Sequence, residues 1–177
     1  YSTIRAALTR ANAGDRVLVN PGTYRESGLA LPEGVVLAGN GATAAEVVID
    51  GQGAGRILSC ENYARTSEIR NLTFTGGRAA GETLHDASGG AILFNNAAVV
   101  VTDCVFHDNS ATRNGGAVWV FESAPTFSAC VFTGNAAGGG GGGMDCTLYG
   151  SPSLQNCRFE GNSADWGAGL SCRDYSS

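Results

Sequence analysis

The sequence predicts an all-β solenoid, a parallel β-helix built from one chain and capped at its amino end by a helix. Three observations carry this. GGAI at 89–92, GGAV at 115–118, GGGM at 141–144 and GAGL at 167–170 end on Ile92, Val118, Met144 and Leu170, each 26 residues from the one before. The motif F-x-x-N recurs as FHDN at 106–109, FTGN at 132–135 and FEGN at 159–162, at steps of 26 and then 27. Between these signals apolar residues alternate with a period of two, as in strands with one buried face. A period near 26 with two or three short strands is too short for a helix-pair repeat. It suits a coil that buries its face only by stacking on its neighbours.

Taken in order, residues 2–14 (STIRAALTRANAG) place Ile4, Ala7, Leu8 and Ala11 on one helical face. Ser2 or Thr3 is suited to cap the start and Gly14 the end. Such a helix would cover the first coil, whose core and strand edge are otherwise open. RVLVNPGTY (16–24) reads as the first strand and turn, and VVLAG (35–39) and VVID (47–50) as further strands. ILSC (57–60) matches the GGAI strand, and IRNLTFTGG (69–77) matches the coil carrying F-x-x-N, with Gly77 at the Asn position. Residues 78–88 (RAAGETLHDAS) are a polar insertion expected to project as a loop. Three regular coils follow. The six glycines at 138–143 fall on the same step as the other GG pairs, so they are a turn within a coil and not a linker. All 177 residues therefore form one domain of about five to six coils. GAGLSCRDYSS begins another coil and stops before its second strand, as expected of a fragment of a longer chain or of an end that stacks on another copy.

Inward columns follow from the repeat. Ile92, Val118, Met144 and Leu170 form one, and Phe94, Val120, Cys146 and Cys172 the next. Cys104, Cys130 and Cys157 share a column, beside Phe106, Phe132 and Phe159. Asn109, Asn135 and Asn162 form a polar column. A side-chain amide both donates and accepts, so stacked copies can bond one another or the turn backbone. The six cysteines contain no C-x-x-C pair, so a zinc site is not expected, and stacked thiols are read as small buried apolar groups. Cys146 and Cys172 lie near disulfide range, though parallel side-chain vectors are poor geometry for a bridge.

Composition narrows the partners. The 11 basic residues are all Arg, and the net charge is −5. That balance argues against nucleic acid and against an anionic membrane surface, both of which need a basic patch. No apolar run is long enough to span a bilayer. No phosphate-cradling glycine motif and no calcium nonapeptide occurs, so no cofactor and no metal are expected.

The segments TIRAALTRANAGDRVLVNPGTYRE, VVIDGQG and IRNLTFTGG, with the GGA(I/V) and F-x-x-N coils, resemble the right-handed parallel β-helix proteins of the pectin-lyase-like superfamily. The paired GGA-I and F-x-x-N signals are similar to repeats of the chlamydial polymorphic outer-membrane proteins. The resemblance implies a right-handed solenoid at the cell surface or outside the cell. It implies no single function, because the superfamily holds lyases and hydrolases beside adhesins and structural surface proteins.

Outward positions decide among these. After the GG turns they are Leu93, Trp119, Asp145 and Ser171, then Asn95, Phe121, Thr147 and Arg173. Trp119 and Phe121 alternate on one outward face and are expected to form an aromatic contact platform. Asp145 beside Arg173 is the other ligand-binding candidate. Asp103 with His107, and His85 with Asp86 in the loop, are weaker candidates. A glycosidase needs a carboxyl pair, which these sparse acids do not supply. The expected function is a non-catalytic structural, adhesive or carbohydrate-binding module that meets a polysaccharide or a surface protein. A polysaccharide lyase or hydrolase, and a solenoid that self-associates through its carboxyl end, are the alternatives.

Overall fold

The computed structural model describes residues 1–173. Four parallel sheets run along the solenoid, and the coils that begin at Leu58, Ile92 and Val118 contribute one strand to each. The coil from 92 to 111 shows the plan. Ile92–Asn95 enters the first sheet, Val99–Thr102 the second, Val105–His107 the third and Ser110–Ala111 a short fourth. Strands 26 residues apart then pair in register: Ile92 with Val118, Val101 with Phe127, and Phe106 with Phe132. The first three sheets each hold six strands and the fourth holds three, among the described residues. The predicted columns coincide with this register, including Cys60 beside Phe94 and Cys146 beside Cys172.

Two bends explain why one predicted strand is really two. Asn71, Asp103, Ala129 and Asn156 all have left-handed backbone, with φ of 52–53°. Each turns the chain from the second sheet into the third, so Asp103 occupies a corner and not a strand face. Asn and Asp tolerate this region best among residues with a side chain. The next corner lies inside F-x-x-N. Gly76, Asp108, Gly134 and Gly161 are left-handed there, and the residue that follows points inward.

That following residue makes the polar column. Asn135 is fully buried, and its Nδ2 donates to Phe106 O at 3.0 Å and to Asn162 Oδ1 at 2.9 Å. Its Oδ1 accepts from the backbone N–H of Asn109 and from Asn109 Nδ2, both at 3.0 Å. Asn109 Oδ1 in turn accepts the N–H of Gly77 at 2.9 Å, so the column ends on a residue with no side chain. Beside it the rings of Phe74, Phe106, Phe132 and Phe159 stack face to face at centroid spacings of 5.2, 4.7 and 4.5 Å. All six cysteines are free thiols. Cys60, Cys104, Cys130 and Cys146 are buried, Cys157 is half-buried and Cys172 is exposed. Burial pushes the Cys60 thiol up to about 12, as expected of an inert core group.

Three expectations need correction. The amino-terminal helix is Ile4–Leu8, five residues and not 2–14. Thr3 Oγ1 accepts the N–H of Ala6 at 3.1 Å as the cap. After Leu8 the chain tightens into turns in which Arg10 and Ala11 donate to carbonyls three residues back, and Asp15 takes the N–H of Asn12. Ile4 and Leu8 still bury against the first coil. Secondly, Arg78–Ala79 is already a strand of the fourth sheet, so the inserted loop begins at residue 80. Thirdly, Gly22–Arg25 is a strand and not a turn, and Leu29–Ala30 is the first strand of the first sheet.

Candidate functional site

The outer face of the first sheet carries the sequence candidates, and it is covered. Leu93, Trp119, Asp145 and Ser171 are 0%, 2%, 0% and 8% exposed. Trp119 is therefore not an exposed platform. Its Nε1–H donates to Thr147 Oγ1 at 3.0 Å, and its ring lies 5.2 Å from that of Phe121 at a tilt of 46°. Phe121 is half-buried against it. The cover comes from the chain just before each strand. A Cβ on Gly89 would stand 3.2 Å from Trp119 Cβ, and one on Gly140 would stand 2.6 Å from Asp145 Oδ1. Period-two alternation tells which face a side chain takes, but not whether another segment lies over that face.

The insertion lies over the same sheet nearer the amino end. Arg56 holds it by donating to the carbonyls of His85, Ser88 and Gly89. His85 Nε2 meets Glu61 Oε2 at 3.2 Å, and Glu61 belongs to the first sheet. Asp86 lies 3.5 Å from the other His85 nitrogen. Hydrogen bonds from Thr83 and then from His85 hold the Asp86 carboxyl below its usual range. His85 and Asp86 are thus engaged in fixing the loop. Asp103 and His107 are not joined by any hydrogen bond or ion pair. His107 Nδ1 faces both Asp108 Oδ2, at 2.9 Å, and Thr75 Oγ1, at 3.2 Å. Because one nitrogen serves both, they form no proton relay.

Toward the carboxyl end the cover opens into a groove of about 380 Å³. Leu84 from the insertion forms one part of its wall, and Leu148, Trp166 and Arg173 another. Gly138 and Gly139 line it as bare backbone, packed so closely on the preceding coil that an added Cβ would stand 2.5 Å from Thr112 O and 2.6 Å from Asn114 Oδ1, respectively. Arg173 Nη2 lies 3.3 and 3.4 Å from the two oxygens of buried Asp145, and its guanidinium stands 5.7 Å above the centroid of Trp166. Trp166 is 59% exposed. The pairing of Asp145 with Arg173 was legible from the repeat step, whereas Trp166 sits in an irregular turn that no column predicts.

A backbone feature marks this end of the sheet. The residue after each of the four central first-sheet strands is left-handed: Asn62, Asn96, Glu122 and Leu148, with φ of 60, 48, 46 and 46°. Leu148 is 39% exposed, and the next residue, Tyr149, is 63% exposed and also left-handed at 64°. A left-handed residue other than Gly, Asn or Asp costs about 1–2 kcal/mol. Two apolar side chains are held in water at that cost, which is the pattern expected of a contact surface. Replacing Leu148 by Asn, the residue used in two earlier coils, is expected to raise stability by about 0.5–1 kcal/mol. Thermal unfolding checks this, with an expected gain of about 1–4 °C; a loss would show that Leu148 packs favourably there.

Residues 33–177 match the family described as right handed beta helix region. The chain belongs to that family. No curated protein and no solved structure matches this β-helix chain. Among the described residues no helix is long and apolar enough to cross a membrane, and no cluster of three metal-ligating side chains occurs.

Proposed function

We propose that this β-helix is a non-catalytic binding module of an extracellular or bacterial surface protein, of the pectin-lyase-like type with repeats like those of polymorphic outer-membrane proteins. Its ligand is a polysaccharide or the surface of another protein, held in the groove beside Trp166. The observation that carries this reading is the exposed indole of Trp166, set beside a glycine-lined groove under the Arg173 guanidinium. An indole face offers broad apolar contact to the flat side of a sugar ring, while Arg173, Asn114 and Thr112 offer hydrogen bonds at the rim. Asp145, whose partner Arg173 lines the groove, is fully buried and paired with it. Glu61 is paired with His85. Neither presents a free carboxyl pair, which supports binding over hydrolysis.

The test is an array of acidic and neutral polysaccharides, scored for binding and for cleavage, with and without calcium. Binding without turnover is expected. Trp166→Ala should weaken it about tenfold or more while shifting stability by no more than about 0.5 kcal/mol, since the ring is largely exposed. Release of a new reducing or unsaturated end would replace this reading by the lyase or hydrolase alternative, whose acid–base residues would then have to be sought around Asp145 and Arg173. Binding that survives Trp166→Ala would place the contact elsewhere on the solenoid.

A further inference from the structure

We infer that Asn40 is a site of self-modification, where the backbone nitrogen of Gly41 displaces the side-chain amide and leaves aspartate or isoaspartate in the chain. Asn followed by Gly is the dipeptide in which this attack is least hindered, because glycine has no Cβ and the widest backbone freedom. The sequence holds two such pairs, Asn40–Gly41 and Asn114–Gly115. The fold treats them in opposite ways.

Asn114 is buried, and its Oδ1 accepts the N–H of Gly140 at 3.0 Å. The N–H of Gly115, the nucleophile in that pair, donates to Gly140 O at 2.9 Å. Attack there must first open the ladder between two coils. Asp50–Gly51, the Asp–Gly pair that could close the same ring, is held likewise, with the N–H of Gly51 on Thr75 O at 2.8 Å. Asn40 is exposed and begins the segment 40–46, which joins the strands Val36–Gly39 and Val47–Asp50. In the next coil Asn71 and Leu72 alone make this connection. The longer segment is tied by the N–H of Asn40 on Val19 O, by Asn71 Nδ2 on Gly41 O and by the N–H of Ala42 on Glu46 Oε2. The N–H of Gly41 has no acceptor among the described residues. Nor can Gly41 be exchanged freely. A Cβ there would stand 2.8 Å from Glu46 Cβ and 3.1 Å from Thr43 O. The tight turn that demands glycine therefore also leaves Asn40 labile.

Hydroxide takes the proton of the Gly41 nitrogen, which attacks Asn40 Cγ. The bond from Cγ to Nδ2 breaks, and that nitrogen takes a proton from water and leaves as ammonia. The cyclic imide then adds one water at either carbonyl and opens to aspartate or isoaspartate. One water is consumed and one ammonia is released, with no oxidation. Either product puts a carboxylate beside Asn20 Oδ1, to which Asn40 Nδ2 now donates at 3.2 Å. Isoaspartate also lengthens the main chain by one carbon. Ala42, Thr43 and Ala44 of the same segment line an open groove of about 450 Å³ that Asp103 also lines, so conversion alters its wall. This groove shares no residue with the one beside Trp166, so the inference stands apart from the binding reading.

The test holds the folded chain at mildly alkaline pH and body temperature, samples it over time and digests it with trypsin under mildly acidic conditions. Mass spectrometry follows the tryptic peptides 26–56 and 114–158, which carry one Asn–Gly pair each, and fragmentation places the mass gain. Chain unfolded in guanidinium chloride should convert both pairs at similar rates. In the folded chain Asn40 is expected to convert at least about tenfold faster than Asn114, a ratio that needs only about 1.4 kcal/mol of protection by the ladder. Asn40→Gln, whose longer side chain closes its ring far more slowly, should stop the gain. The inference is overturned if Asn40 stays intact in the folded chain, if Asn114 keeps pace with it there, or if the gain persists in Asn40→Gln.

Discussion

Replacing Gly116 by alanine is expected to destabilise the protein by about 3 kcal/mol or more, one of the largest effects of adding a single methyl group to this chain. Gly116 is the second glycine of its GG pair. A Cβ there would overlap the carbonyl oxygens of Gly142, in the next coil, and of Ala136, in the fourth sheet. Both are backbone atoms fixed by the ladder, so no side chain can swing aside. The same collision recurs at Gly90 and Gly142, each against the carbonyl of the following coil. The constraint is steric, since Gly116 is not among the left-handed glycines. Gly161→Ala separates the two causes. Gly161 is left-handed at φ 59° but has nothing within 4 Å of an added Cβ, so it should cost only about 1–2 kcal/mol. Denaturant midpoints of the two variants check this. Equal costs would mean that backbone strain, not coil spacing, selects the glycines.

This is why the coils were legible in the sequence. A position where two backbones meet admits only Gly, and it recurs once per coil, so the GG pairs mark the period even inside a run of six glycines. The Phe stack and the Asn column are read for the same reason, because each residue meets its own copy above and below. What the repeat could not reveal is what breaks it. The strand Leu29–Ala30 was missed because its coil lacks a GG turn. The short helix was overextended because Ala7 and Ala11 share a helical face whether or not the last turn forms. Trp119 lies on the expected side of its strand but is covered, since the turn that leads into the preceding first-sheet strand, at Gly89, lies against it. Trp166 belongs to no column, because its exposure depends on the local path of an irregular loop. The regular part of this sequence thus specifies the rod, and the departures from regularity build the groove.

Asn135→Ala is expected to cost about 3 kcal/mol, lowering the melting temperature by about 6–12 °C. The amide is fully buried and serves both neighbouring coils. Its removal leaves the N–H of Asn109, the carbonyl of Phe106 and the amide oxygen of Asn162 each short of a partner. A buried polar group left unpaired costs about 1–3 kcal/mol, while a satisfied one contributes less than that. Water cannot readily replace the amide, because the stacked rings of Phe106, Phe132 and Phe159 pack alongside. Asn135→Asp is the sharper version. Its shape is conserved, and one oxygen can still accept from Asn109. The other would face Phe106 O and Asn162 Oδ1, where Asn135 now donates. An ionised carboxylate there is both buried and repelled, so its folded-state pKa must rise above the unfolded value near 4. Between those two values the folded state binds the extra proton, so stability falls as pH rises through that window and is flat above it. Relative to the unsubstituted chain at each pH, Asn135→Asp should therefore be most destabilised at neutral pH and recover toward pH 4. A deficit independent of pH would mean that the column tolerates a charge, and that Asn is chosen there for its size.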